Sequence, residues 1–289
     1  MTKRVRKAVL PVAGLGTRVL PGAKTTPKNM LNVVDRPILS YIVAEALAAG
    51  IEHFVFIVSR GQGAIEDYFD ANPEIENALE AKGKLDILAD MRRDVLKPGQ
   101  MSFVRQMAPL GLGHAVWCAR DIIADEPFAV MLPDMLMAAD TPALAQCVAA
   151  HDKVGGNIIA VEPAPEGEAH KYGIVALEGQ AGRLNRMTGM VEKPAPGTEP
   201  SNLFISGRYI LQPEIFELLE RQGKGAGGEI QLTDGMAQLM KAQAFHALEY
   251  EGVTYDCGDK IGLLRANVAF ALRRPDLADA ARAAIQALL

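Results

Sequence analysis

Apolar residues gather in short runs between glycine-rich turns, and the runs follow two different rhythms. Residues 7–12, Lys-Ala-Val-Leu-Pro-Val, are too few for a helix and empty into the turn Ala13-Gly14-Leu15-Gly16. A buried strand delivered into a loop is predicted there. Residues 38–50 instead place Leu39, Ile42, Val43 and Leu47 on one face at helical spacing. Pro37 stands in front and Gly50 behind, which is how helices begin and end. The strand pattern returns at 53–58, 101–106, 128–132 and 157–161, with helices predicted over 62–70 and 113–123. Strands alternating with helices of about ten residues define an α/β fold around a mostly parallel central sheet.

Two stretches depart from that alternation. Residues 172–193 read as a small β insertion, a hairpin of 173–177 and 187–191 turning at Gly179–Gly182. The tail 260–289 carries Leu263, Leu264, Val268, Leu272, Leu277, Ile285 and Leu288 on a helical period. No repeat or low-complexity linker divides the chain. The expectation is one domain, 1–289, with a core over 7–258 and a helical C-terminal tail over 260–289.

Composition removes several function classes. A chain of 289 residues buries roughly three quarters of its unfolded surface, so it needs no disulfide or metal to hold a core. Its net charge of −5 disfavours nucleic-acid binding, which rests on an excess of basic charge. Cys118, Cys147 and Cys257 are too few and too far apart for a disulfide framework or a zinc knuckle, and read as reduced thiols of a cytoplasmic protein. Behind the basic start Lys3-Arg4-Val5-Arg6-Lys7, the apolar stretch is broken by Pro11 and Gly14 and stopped by Arg18, too short for an export signal. No run approaches the ~20 apolar residues of a membrane span.

The first glycine turn is the richest local signal. Gly14-Leu15-Gly16-Thr17-Arg18-Val19 opens like a dinucleotide fingerprint, but Val19 stands where the third glycine belongs. Pro21, Gly22 and Pro27 leave little room for the helix such a unit requires. No Gly-Lys-Ser/Thr follows, so it is not a P-loop either. What remains is a loop whose N–H groups can cradle phosphate, followed by Arg18, Lys24 and Lys28. Taken alone it fits a polyphosphate cradle and a structural turn equally.

The blocks Ala8–Arg18, Pro27-Lys-Asn-Met-Leu31 and Asp35-Arg-Pro37 strongly resemble the sugar nucleotidyltransferases, and within them the bacterial branch that uses UTP and glucose 1-phosphate. The likeness continues through 105–115, Leu132-Pro-Asp134, 171–175, Val191-Glu-Lys-Pro194, 227–234 and Tyr255-Asp-Cys-Gly258, in family order. It implies a Rossmann-like nucleotidyltransferase fold, and uridylyl transfer from UTP to the sugar phosphate with release of pyrophosphate. By that resemblance Ala13 and Gly14 hold the nucleotide through backbone atoms, while Arg18 and Lys28 neutralise its phosphates. Gln106 and Gly111 meet the uracil. Gly173, Glu192 and Lys193 form the sugar site, Lys193 also meeting the sugar's phosphate as a catalytic cation. Asp134 and Asp256 are the implied carboxylates for Mg²⁺, which takes one or two carboxylates and leaves other positions to water and phosphate. A homodimer or homotetramer is implied, with the apolar tail as a subunit contact.

Tyr172, Trp117 and the methionines are assigned to packing, and His114 to no catalytic role, because an anionic nucleophile needs no base. Three positions depart from the family pattern. Asn29 replaces a Glu beside Lys28, Asn32 a Pro, and Met135 a second acid after Leu-Pro-Asp. The alternatives are a related enzyme using dTTP or another sugar 1-phosphate, and a weakly active regulatory paralogue.

Overall fold

The computed structural model describes residues 3–179 and 181–288. The chain enters through β1 (Lys7–Pro11), crosses the glycine loop, and makes a small hairpin of β2 (Asn32–Val33) and β3 (Arg36–Pro37). Helix α1 (Ile38–Ala48) leads to β4 (His53–Val58), followed by α2 (Gly63–Phe69), α3 (Pro73–Ala81), α4 (Leu85–Arg93) and β5 (Met101–Arg105). Helices α5 (Leu112–Trp117) and α6 (Arg120–Ile123) precede β6 (Phe128–Met131), β7 (Met135–Ala138), α7 (Ala143–Val154) and β8 (Asn157–Pro163). The second half runs β9 (Gly173–Leu177), β10 (Leu184–Glu192), β11 (Leu203–Leu211), α8 (Ile215–Arg221), α9 (Leu232–Leu239), β12 (Phe245–Glu249) and β13 (Val253–Asp256). Helices α10 (Lys260–Arg273) and α11 (Ala278–Gln286) complete it.

Nine strands form the main sheet in the order β5-β4-β1-β6-β11-β8-β12-β10-β9. The first four are parallel, β11 runs antiparallel to both its neighbours, and β12 is parallel to β8. Period-two alternation explains the unbroken apolar runs. Ala8, Leu10, Phe54 and Phe56 face one core, while Val9, Val55 and Ile57 face the other. After β1 the chain builds β4 and β5 on one side and then β6 on the other. The direction of winding therefore reverses beside β1, where open α/β sheets form their ligand crevice.

Three details differ from the sequence pattern. Ala46, rather than Leu47, completes the buried face of α1, and Leu47 is 39% exposed. The two residues are adjacent on the helix, and the smaller one faces the core. The helix expected over 113–123 breaks at Cys118–Ala119, where Ala119 N–H bonds to Val116 O and Ile122 N–H to Ala119 O. That tightened turn lets Ala115, Val116, Ala119 and Ile123 all reach one core. The β insertion is the edge of the main sheet, because Leu184–Arg186 of β10 pair with β12.

Candidate active site

The glycine loop leaves the carboxyl end of β1, and Lys28 folds back over it. A Cβ on Gly14 would lie 3.5 Å from Lys28 Cε and 3.7 Å from its Nζ. Gly16 has φ +65°, and a Cβ there would meet Lys28 Cβ at 2.8 Å, so the close approach requires glycine. Lys28 Nζ reaches Asp134 Oδ2 at 2.5 Å, and Arg18 Nη1 lies 3.6 Å from Asp256 Oδ2. The two acids are 122 positions apart in sequence and meet through a ribbon of two short strands. In it β13 pairs with β7, Asp256 stands opposite Met135, and Cys257 N–H donates to the Asp134 carbonyl at 2.8 Å.

Gly258 sits between these groups. A Cβ there would lie 2.5 Å from Arg18 Nη2, 2.7 Å from Asp256 Oδ1 and 3.1 Å from Asp134 Oδ2. A side chain at Gly258 would collide with these groups, so glycine lets the backbone lie directly against both carboxylates. Burial raises the Asp256 carboxyl above its usual pKa; the Gly258 N–H opposes the shift, and Asp134 adds to it. No group of three or more His, Cys, Asp or Glu is placed to hold a metal among the described residues. Two carboxylates brought to one backbone position fit a cation that takes its remaining oxygens from phosphate and water.

Gln106 follows β5 and is almost buried. Its Nε2 donates to Gly111 O at 3.1 Å and approaches His114 Nδ1 at 3.1 Å. The loop is sewn to the segment before α9: Ile230 N–H donates to Leu110 O at 2.7 Å, and Gly113 N–H to Ile230 O at 2.8 Å. Gly111 has φ +107°, and a Cβ there would strike Ile230 O at 2.7 Å. Three residues beyond Ile230, Thr233 Oγ1 donates to Glu192 Oε2 at 2.7 Å. A Cβ on Gly173 would lie 3.0 Å from that same oxygen. Lys193 takes φ +48°, a left-handed conformation costing on the order of 1 kcal/mol. Its N–H is held by Tyr172 O at 3.0 Å, and its exposed ammonium has no ion-pair partner among the described residues.

Arg18, Lys28, Asp134 and Asp256 therefore converge, Glu192 joins Gly173, and Gln106 joins Gly111. Tyr172 packs on Phe204 with ring centroids 4.4 Å apart. Met107 is not a core residue: it is 84% exposed on the Gln106 loop. Asn29 does not act as a charge partner for Lys28. It is fully buried, and its Nδ2 donates to Val12 O at 3.3 Å. Thr233 was missed as a side-chain partner, although it lies in the 227–234 block. Gln62, whose Nε2 also donates to Val12 O, carried no signal beyond opening α2.

A crevice at strand ends that gathers cations, paired carboxylates and a glycine loop defines a phosphate-transferring nucleotide enzyme. The nucleotidyl transferase family profile matches residues 7–271, and the chain belongs to that family. It is 47% identical over 277 residues to the UTP–glucose-1-phosphate uridylyltransferase of Bacillus subtilis strain 168, covering 96% of this chain and 94% of that one. A Staphylococcus saprophyticus protein, UTP–glucose-1-phosphate uridylyltransferase 1, is 47% identical over 270 residues, covering 93% and 94%. Among solved structures, the UTP-bound UDP-glucose pyrophosphorylase of Acinetobacter baumannii superposes with a TM-score of 0.91 at 40% identity, over 99% of this chain and 100% of that one. Members of the family generally use a divalent metal.

Proposed function

We propose that this chain transfers the uridylyl group of UTP to the phosphate of glucose 1-phosphate, releasing pyrophosphate and UDP-glucose. The observation that carries the reading is the meeting of Arg18, Lys28, Asp134 and Asp256 beside the glycine loop. A phosphate oxygen of the sugar attacks the α-phosphorus in line with the leaving pyrophosphate. Such a reaction asks for positioning and charge neutralisation rather than a base.

Ala13 and Gly14 hold the nucleotide through their backbone, and Arg18 neutralises its β- and γ-phosphates. Lys28, which rests on Asp134 at 2.5 Å, turns to the α-phosphate as charge moves there. With Nε2 spent inside its loop, Gln106 offers Oε1 to the imide N–H of uracil, and Gly111 lets the ring approach. Thymine presents the same edge and cytosine does not, so this contact rejects CTP more strongly than dTTP. Glu192, steadied by Thr233, accepts from glucose hydroxyls above Gly173, and Lys193 meets the sugar phosphate. Asp134 and Asp256 would hold Mg²⁺, which when bound shields the phosphate charge that otherwise repels the incoming anion.

A single domain, a homodimer or homotetramer joined through the C-terminal helices, and a cytoplasmic site beside its nucleotide pool complete the proposal. Incubation with MgCl₂, glucose 1-phosphate and each of UTP, CTP, ATP, GTP and dTTP tests it. Pyrophosphate should appear with UTP, more weakly with dTTP, and fall ~10²–10³-fold in Arg18→Ala or Lys28→Ala. Binding of UTP without sugar-dependent pyrophosphate release would overturn it.

A further inference from the structure

A buried ion pair lies beneath the Leu132–Met135 turn, outside every role assigned above. Arg208, in the middle of β11, is 0% exposed. Its Nε and Nη2 donate to Glu45 Oε1 and Oε2 at 3.0 and 2.8 Å. Nη1 donates to the carbonyls of Leu132 and Gly207 at 3.3 and 3.2 Å, and Nη2 to the Met135 carbonyl at 2.8 Å. These contacts match the five donors of a guanidinium fork. Glu45 comes from α1 and also accepts the amide of Leu144 in α7, at 3.0 Å. One side chain therefore grips the backbone on both sides of Pro133-Asp134.

The strand is shaped for that grip. The register of β11 on β8 slips between Ile205 and Tyr209. In the slip Gly207 takes φ +91°, and its carbonyl accepts Leu132 N–H at 2.9 Å. A charge pair at this depth is a poor source of stability, since replacement of such pairs by apolar residues is often neutral or stabilising. What it does supply is direction. Among the described residues, the carboxylate of Asp134 is tied only to Lys28, a group that has to leave it during the reaction.

We propose that Arg208, charge-balanced by Glu45, is a positioning residue that fixes the angle at which Asp134 faces Asp256. The proposal rests on the reading of Asp134 as a metal carboxylate. The test uses two variants, Arg208→Lys and the apolar pair Glu45→Met/Arg208→Met, with Asp134→Asn beside them. A lysine can still neutralise Glu45 but cannot span both carbonyls.

Calorimetry measures UTP affinity with MgCl₂ and with chelator, independently of turnover. In both Arg208 variants the metal-dependent gain in affinity should shrink about tenfold, the usual scale for losing a partner that orients a metal ligand. Affinity in chelator should stay at the parent's value, and the melting temperature of the apolar pair should not fall. In steady state, kcat should drop about a hundredfold while KM for glucose 1-phosphate holds, as for a misplaced reacting group. A parental metal gain in either folded variant, or a pair variant that fails to fold, would assign Arg208 to stability alone and overturn the proposal. If Asp134→Asn loses the gain while Arg208→Lys keeps it, the metal reading stands and only the positioning role falls. A parental gain in Asp134→Asn overturns both.

Discussion

Gln106 spends its amide protons inside its own loop, on Gly111 O and on Nδ1 of His114. An amide nitrogen only donates, so Nδ1 must carry the lone pair and the ring proton must sit on Nε2. Burial lowers the pKa of His114, which favours this neutral form. The folded protein thus takes up the proton at lower pH than the unfolded chain does. The stability tied to neutral His114 is complete above about 6.5 and is lost as pH falls through the lower folded value. KM for UTP should rise about fivefold across that window, the equivalent of one lost hydrogen bond. His114→Gln, whose side-chain oxygen accepts without titrating, should flatten the profile. Steady-state KM for UTP against pH measures both.

At the scale of elements, β1 and β6, which lead into the site, were legible because they are short buried runs closed by Pro11 and by Pro133-Asp134. Helices α3 and α4 were not, and neither is anchored in the core: α3 buries no residue and α4 only Leu88. Strand β11 hid behind Ser206-Gly207-Arg208, which interrupt its apolar run, and a charge in that setting was itself the missed signal. The family likeness named Arg18, Lys28, Asp134 and Asp256 block by block, and the fold brings these four residues together. The contact between the two acids was not legible, because β7 and β13 are only four residues each and pair across the length of the chain. Helix α10 starts immediately beyond this ribbon. Asp259 caps it, accepting from the N–H groups of Ile261 and Gly262 at 2.9 and 2.8 Å. A Cβ on Gly262 would overlap the Asp256 carbonyl, so the first turn of α10 lies directly on the acid-bearing strand. Asp259→Ala should lower stability by about 1 kcal/mol, the worth of an N-cap, measured by urea unfolding. It should also reduce turnover by loosening the strand end that carries Asp256.

For the molecule as a whole, the C-terminal helices sit as a partly covered layer. Phe270 packs on Tyr41 and Tyr255, with ring centroids 5.0 and 6.0 Å away, and Asn267 Oδ1 accepts Val34 N–H at 2.8 Å. The first turn of α10 leaves Ile261 and Leu264 exposed, at 66% and 59%. If this face joins subunits, Leu264→Glu should convert the oligomer to monomer in analytical ultracentrifugation, with the far-ultraviolet circular dichroism of the parent. A parent that already sediments as a monomer would remove the oligomer from the proposal. The layout of the main sheet has a further consequence, for the chain as it leaves the ribosome. Strand β12 lies between β8 and β10, so a nascent chain that has not reached Glu249 has a gap in the middle of that half of its sheet. Asp256 emerges later still. On this reading a protein halted before Asp256 carries the glycine loop, Lys28 and Asp134 and is still catalytically silent, so activity in a translating extract should report only chains extended past Asp256.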